Sequence, residues 1–91
     1  MAHIVREKSK LLARVRRIRG QVEAVERALE TELGCGDVLQ LIASIRGAVN
    51  GLMVEVIEDH IRCHVVAPSL RVKERDENAN ELIEVVRSYL K

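Results

Sequence analysis

The spacing of apolar residues in the first third of the chain is the feature that most limits how it can fold. Between Leu11 and Leu29, apolar side chains recur at alternating intervals of four and three residues. This spacing places them on one side of an α-helix that packs on other helices. It predicts a first helix over residues 5–32, about 42 Å long at 1.5 Å per residue. A chain of 91 residues has little else with which to cover such a helix.

A long central helix is predicted next. Apolar residues between positions 38 and 66 occupy more than one helical face, and no proline interrupts them, which indicates a much-buried helix. Asp37, followed three residues later by Gln40, resembles a capping box at its start. Pro68 is expected to end it, because the residue before a proline is disfavoured in helical geometry.

A shorter third helix is indicated by apolar residues between Ala79 and Leu90. Gly34 and Gly36 are expected to interrupt helical structure between the first two helices, which then form an antiparallel hairpin. We therefore predict an all-α fold of two long antiparallel helices and a short third one, in a single domain over residues 1–91. Because the third helix is too short to cover the two long ones, the surplus apolar surface predicts association with further copies of the chain.

Composition and motifs limit the cellular compartment in which the protein is expected and the class of protein to which it belongs. No apolar run approaches the roughly 18 residues of a transmembrane helix, and the N-terminus does not resemble a signal peptide, so we expect a cytoplasmic protein with no membrane partner. In a reducing compartment, Cys35 and Cys63 are expected to be free thiols or metal ligands. The sequence contains no nucleophile with an adjacent base and no phosphate-binding loop, so we do not predict an enzyme.

Positive charge is concentrated near the N-terminus. The formal net charge is +1, yet residues 1–20 carry seven basic residues and one acidic residue. A solvated helix face normally mixes signs, so this excess predicts phosphate contacts with double-stranded DNA. No helix-turn-helix is predicted, and recognition would therefore depend on phosphates and DNA shape. The basic stripe on the first helix comprises Arg6, Lys10, Arg14 and Arg17, flanked by Arg16 and Arg19.

His60 and His64 are four residues apart on the predicted second helix, a spacing that lets both imidazoles bind one metal ion. A pair of core or surface histidines is the alternative. Cys35 would lie about 35 Å from His60 along a continuous helix, so one chain cannot bring the three together. An antiparallel pairing of two second helices would place Cys35 of one chain beside the histidines of the other and create two equivalent sites.

Imidazole and thiolate donors of this kind suit zinc, nickel, cobalt or copper. Two imidazoles for each thiolate argue against a copper(I) site, because copper(I) prefers softer ligands. His3 and the amino terminus would add nitrogen donors for the higher coordination numbers that nickel and cobalt accept. Cys63, three residues after His60, is a further candidate ligand.

Three segments carry a resemblance to a known family: Arg14–Gln21, Gln40–Leu52 and Glu55–His64. Through them the chain resembles the CsoR/RcnR family of bacterial repressors, whose members sense copper, nickel and cobalt, or formaldehyde. This resemblance implies a dimer of dimers with the effector site between subunits. It also implies that Arg14, Arg17 and Arg46 contact DNA, although Arg46 is equally suited to an intersubunit hydrogen bond.

The resemblance also bears on the effector. Copper-sensing members have a cysteine in place of His64, and formaldehyde sensors typically have a proline where this chain has Ala2. Cys63 departs from all of these patterns. We therefore expect a repressor that binds operator DNA and releases it on binding nickel or cobalt; a formaldehyde sensor using Cys35 and the amino terminus, or an effector-free architectural DNA-binding protein, are the alternatives. The implied metal ligands are His3, Cys35, His60 and His64.

Overall fold

The computed structural model describes residues 8–89 and contains three α-helices. They are α1 (Lys8–Glu30), α2 (Cys35–His64) and α3 (Val72–Tyr89). Residues 8–89 contain no β-strand. The prediction of an all-α, three-helix chain is confirmed, whereas the ends of the helices differ from those predicted.

α1 ends two residues earlier than predicted, at a turn that contains a strained residue. Glu32 adopts a φ of 54°, in the left-handed region that L-residues seldom occupy. The Leu33 N–H donates to the Ala28 carbonyl at 3.0 Å, and the Glu32 N–H donates to the Leu29 carbonyl at 3.2 Å. These two bonds form a Schellman motif, which satisfies carbonyls of the last helical turn. Glu32 therefore reverses the chain where a glycine is usual.

α2 begins earlier than predicted. The Gly34 carbonyl accepts the N–H groups three and four residues further on, at 3.0 and 3.2 Å, so Gly34 is the N-cap and Cys35 the first helical residue. The capping box predicted from Asp37 and Gln40 is wrong, because Asp37 lies inside the first turn. Its carboxylate there complements the positive end of the helix dipole. Gly34 lies in the link between α1 and α2, as expected, whereas Gly36 is helical and does not interrupt the chain.

α3 begins at Val72, seven residues before the predicted start. The Arg71 carbonyl accepts the Arg75 N–H at 3.0 Å, and the Arg71 side chain pairs with Glu74 at 3.0 Å. This first turn is rich in charged residues and therefore lacks the apolar spacing from which a helix is predicted. Pro68 lies in the link before α3, as expected, although α2 already ends at His64.

The chain divides into two compact units after Val54. In the first unit, α1 and the first part of α2 are antiparallel. Gln21 Nε2 donates to Ser44 Oγ at 3.1 Å, and Arg14 lies beside Gly51. The second contact lies seven residues back on α1 and seven residues forward on α2. The two helices therefore keep the same antiparallel register between the two contacts. The predicted antiparallel hairpin is confirmed.

Almost no side chain in the described part of one chain is fully buried. Among residues 8–89, Ala28 is the only buried side chain, at 3% exposure. On α1, Val15, Val22 and Leu29 are 45, 52 and 63% exposed and follow one another at intervals of seven residues. Side chains with this spacing pack between helices in coiled coils. α1 therefore has an apolar face that the hairpin does not cover.

α2 is long and apolar enough that length and composition alone would allow it to cross a membrane. Core helices of soluble proteins meet the same criterion. The apolar stretch of α2 is interrupted by Gln40, Ser44 and Arg46, and a charged side chain at the centre of a bilayer is costly. Length and composition are therefore weak grounds for a membrane span here.

We expect Glu32→Gly to stabilise the protein by about 0.5–1 kcal/mol, because glycine adopts a positive φ without a steric penalty but loses more chain entropy on folding. Chemical denaturation at a fixed protein concentration measures the change. Glu30→Gly is the matched control: it removes the same side chain from the last turn of α1 and should destabilise by about 0.5–1 kcal/mol. Equal destabilisation by both variants would contradict this account of the turn.

Candidate effector and DNA sites

The paired histidines lie in the last two turns of α2. The ring centres of His60 and His64 are 5.4 Å apart, and the ring planes are inclined by 45°. Two imidazoles whose nitrogens lie ~2.0–2.1 Å from one ion have ring centres about 5 Å apart. Both side chains are half-buried, which restricts their rotamers. The pair is therefore close to the arrangement needed to chelate one metal ion.

Asn78 of α3 holds this end of α2 through two hydrogen bonds. Its side-chain amide donates to the His64 carbonyl at 2.7 Å, and its backbone carbonyl lies 2.8 Å from His60 Nε2. A carbonyl oxygen only accepts, so Nε2 of His60 is the donor, and in the neutral imidazole the lone pair lies on Nδ1. Metal ligation by a histidine requires such a lone pair, and the other ring nitrogen normally donates to an orienting acceptor.

Sequence reasoning missed Asn78, although a signal for it exists. The half-buried residues of α3 include Arg75, Asn78, Ala79 and Leu82, which share one helical face. An asparagine on the inward face of a helix needs hydrogen-bond partners, because an unsatisfied buried amide is costly. Only the packing of α3 on α2 shows which groups Asn78 bonds.

Cys63 lies beside the histidines and is directed towards a carboxylate. Its thiol donates to Asp59 Oδ1 at 3.7 Å, one turn earlier on α2. The other carboxylate oxygen, Asp59 Oδ2, is shielded from solvent and has no hydrogen-bond partner in the described part of the chain. The proposal that Cys63 is an additional ligand thus remains a prediction, and ligation would require its sulfur to leave Asp59.

Cys35 is the first residue of α2, and its thiol is free and exposed. His3 lies outside the described residues. Across residues 8–89, no group of three His, Cys, Asp or Glu side chains is arranged to hold a metal ion. The described residues of one chain therefore present the histidine pair, and any further donor must be brought to it.

Most of the basic stripe is open to solvent. Arg14 is the exception: it is half-buried, and a Cβ placed on Gly51 would lie 3.3 Å from its Nη1 atom. Arg6 lies outside the described residues. The exposed basic side chains are Lys10, Arg16, Arg17 and Arg19 on α1, together with Arg46 on α2.

A family model for metal-sensitive transcriptional repressors matches residues 7–88, which is nearly the whole chain. The chain belongs to the CsoR/RcnR family. Proteins of this family are transcriptional repressors, which are not enzymes. The resemblance inferred from the three sequence segments is thereby confirmed.

Individual relatives include a transcriptional repressor and a formaldehyde-responsive regulator. The chain is 47% identical to the transcriptional repressor RcnR of Citrobacter koseri and 53% identical to an uncharacterized protein in the bioA 5′ region of Serratia marcescens, over the full length of each. It also matches the structure of a Glu-to-His variant of the formaldehyde-responsive regulator FrmR from Salmonella enterica serovar Typhimurium. That match has a TM-score of 0.87 and 45% identity, and covers 97% of this chain and 99% of the other.

We expect the metal-free protein to contain His60 as the Nε2–H tautomer, because Nε2 donates to Asn78. Long-range proton–nitrogen NMR correlations of the neutral imidazole distinguish the two tautomers. Asn78→Ala should increase the other tautomer by loosening α3 from α2, whereas Asn80→Ala, at an exposed position two residues further on, should change nothing. A predominant Nδ1–H tautomer in the unaltered protein would contradict the assignment.

Proposed function

We propose that this protein is a metal-responsive repressor that binds operator DNA without effector and releases it on binding nickel or cobalt. The observation that carries the proposal is the pair His60 and His64, with ring centres 5.4 Å apart. The pair supplies two donors of one coordination shell. Membership in a family of metal-sensitive repressors supports the interpretation of this histidine pair as part of the effector site.

A second copy of the chain is proposed to complete the shell. Cys35 begins the helix that ends with the two histidines, so its thiolate can join such a pair only on another subunit. Antiparallel pairing of two α2 helices would meet that requirement twice by symmetry. Nickel or cobalt would then be held by Cys35 from one subunit and His60 and His64 from another, with His3 as an additional ligand.

The exposed apolar surface supports association with further copies. A chain whose only buried side chain over residues 8–89 is Ala28 has no core of its own to stabilise it. On α2, Ile42 and Val49 are separated by seven residues and remain 47 and 41% exposed, like the series on α1. We propose that copies of the chain cover these faces in a homotetramer built as a dimer of dimers.

The donors support the proposed choice of metal. Two imidazoles and one thiolate suit nickel and cobalt, with His3 raising the coordination number. Zinc is satisfied by four ligands, and recruitment of Cys63 would favour zinc or copper. The 47% identity to RcnR supports the relation to that repressor but does not itself assign an ion.

The partner of the basic stripe is proposed to be double-stranded operator DNA in the cytoplasm. Exposed guanidinium groups on α1 can each bond two phosphate oxygens. A tetramer would present the stripe four times, so many weak phosphate contacts would add up. The proposed contacts are Lys10, Arg14, Arg16, Arg17 and Arg19, with Arg46 from α2.

Arg14→Ala and Arg17→Ala should weaken binding to every DNA sequence and flatten its salt dependence, because each neutralised phosphate contributes about 0.9 to the log–log slope. Fluorescence anisotropy over a range of salt concentrations measures both effects. Arg27→Ala, in the last turn of α1 and outside the stripe, is the control with an unchanged slope. Slopes unaltered in both stripe variants would exclude this face as the DNA contact.

Release of DNA is expected from linkage. A ligand weakens DNA binding only by favouring a conformation that binds DNA poorly, and a coupling of about 1–3 kcal/mol per site changes affinity about 5- to 150-fold. Cys35→Ala or His60→Ala should therefore retain metal-free DNA affinity and lose metal-induced release. His64→Ala should change which metal acts, and His3→Ala should weaken the nickel and cobalt responses more than zinc binding.

Titrations of the protein–DNA complex with nickel, cobalt, zinc and copper(I) measure these responses. Normal release of Cys35→Ala by nickel or cobalt would refute the shared site. Light scattering on the same samples tests the assembly: a stable monomer at micromolar concentration would contradict the tetramer.

A formaldehyde sensor is the second candidate, favoured by the similarity to FrmR and by the exposed thiol of Cys35. Formaldehyde would condense with this thiol and an amino terminus, leaving a methylene bridge and releasing one water molecule. Release of DNA by formaldehyde but by no metal, lost in Cys35→Ala, would establish this alternative. Release by neither effector would favour the architectural DNA-binding protein.

A further inference from the structure

Gly51 is the one glycine of α2 that lies against a functional side chain. A Cβ at this position would approach Arg14 Nη1 to 3.3 Å, tighter than ordinary van der Waals contact. By contrast, a Cβ at Gly47, one turn earlier on the same helix, would meet nothing within 4 Å. A side chain at position 51 would therefore press on the end of the Arg14 side chain, which would have to move by a few tenths of an ångström.

The backbone does not require glycine at position 51. None of the glycines in the chain has a positive φ, and Gly51 lies within regular α-helix. Glycine in a helix interior is among the least favourable residues, because it loses the most backbone freedom on folding. The feature of the structure that accounts for a glycine here is the approach of Arg14.

We propose that Gly51 is a positioning residue for DNA binding: its missing side chain leaves the place in which the Arg14 guanidinium rests against α2. This inference depends on the proposed role of Arg14 in phosphate contact. Arg14 is half-buried, whereas Arg16, Arg17 and Arg19 are exposed. An arginine held before binding loses less side-chain freedom when it bonds phosphate. Arg14 is thus the oriented contact of the stripe, and its orientation depends on α2.

The hairpin register supports this role. The Gln21 to Ser44 hydrogen bond lies two helical turns from the contact between Arg14 and Gly51, on the same side of α1. This bond fixes how α1 and α2 lie along one another, and therefore brings Arg14 opposite position 51. An added methyl group at that position displaces the guanidinium, since the helix backbones are held in register.

The test compares Gly51→Ala with Gly47→Ala. Both exchange a helical glycine for alanine on α2, and both should raise the thermal unfolding midpoint through helix propensity. With a generic double-stranded DNA fragment as probe, Gly51→Ala should bind about three- to tenfold more weakly, a loss of part of one charge-assisted contact. Gly47→Ala should bind as the unaltered protein does. Light scattering verifies that all variants keep the same assembly.

A double-mutant cycle separates positioning from a general structural effect. In the Arg14→Ala background, adding Gly51→Ala should weaken DNA binding no further, because the side chain on which it acts is gone. The NMR signal of the Arg14 Nε–H should shift in DNA-free Gly51→Ala and stay in place in Gly47→Ala. Further weakening in the Arg14→Ala background, or an unshifted signal, would overturn the inference.

The inference and the proposed function fail in different ways. If Arg14→Ala weakens DNA binding while Gly51→Ala binds as tightly as Gly47→Ala, the positioning role is wrong and the DNA contact stands. If Arg14→Ala leaves DNA binding and its salt slope unchanged, the proposed contact is wrong and the inference falls with it.

Discussion

The lack of a fully buried core among residues 8–89 of one chain is the constraint on which the rest of this structure depends. α1 uses one face to form the hairpin with α2 and leaves a second apolar face, including Val22 and Leu29, exposed. Exposed apolar surface on this scale is unfavourable in water. Copies of the chain are the proposed cover, and the effector site has the same requirement, because the described residues of one chain offer only a pair of histidines. In the proposed function, stability and sensing depend on the same association.

α2 takes part in both proposed activities. Gly51 in its first compact unit accommodates Arg14, and its last turns carry His60 and His64, held to α3 by Asn78. Coupling between sites is carried by elements with alternative arrangements that both ligands influence. A helix contributing to both sites is suited to this role, since movement of α2 changes what lies beside Arg14. In this proposal, Gly51 acts on Arg14 and Asn78 acts on His60.

Much of the fold could be predicted from apolar spacing, while the ends of the helices could not. The intervals from Leu11 to Leu29 indicated α1 correctly, but its end depends on the left-handed conformation of Glu32, which no propensity favours. The start of α3 was missed because its first turn is rich in charged residues. The capping box at Asp37 failed because the Gly34 carbonyl begins the helix three residues earlier. Local backbone hydrogen bonds decided each of these ends.

The sequence by itself determined the helical class, the basic stripe and the histidine spacing, because each follows from the periodicity of a single helix. The hairpin was predicted from the short link between the first two helices. Tertiary structure decided which partners these residues meet. It placed Arg14 against Gly51, directed the Cys63 thiol to Asp59 and used Asn78 to select the protonated nitrogen of His60. Such contacts join residues on different turns or helices, so they depend on register and side-chain packing, which the periodicity of one helix does not specify.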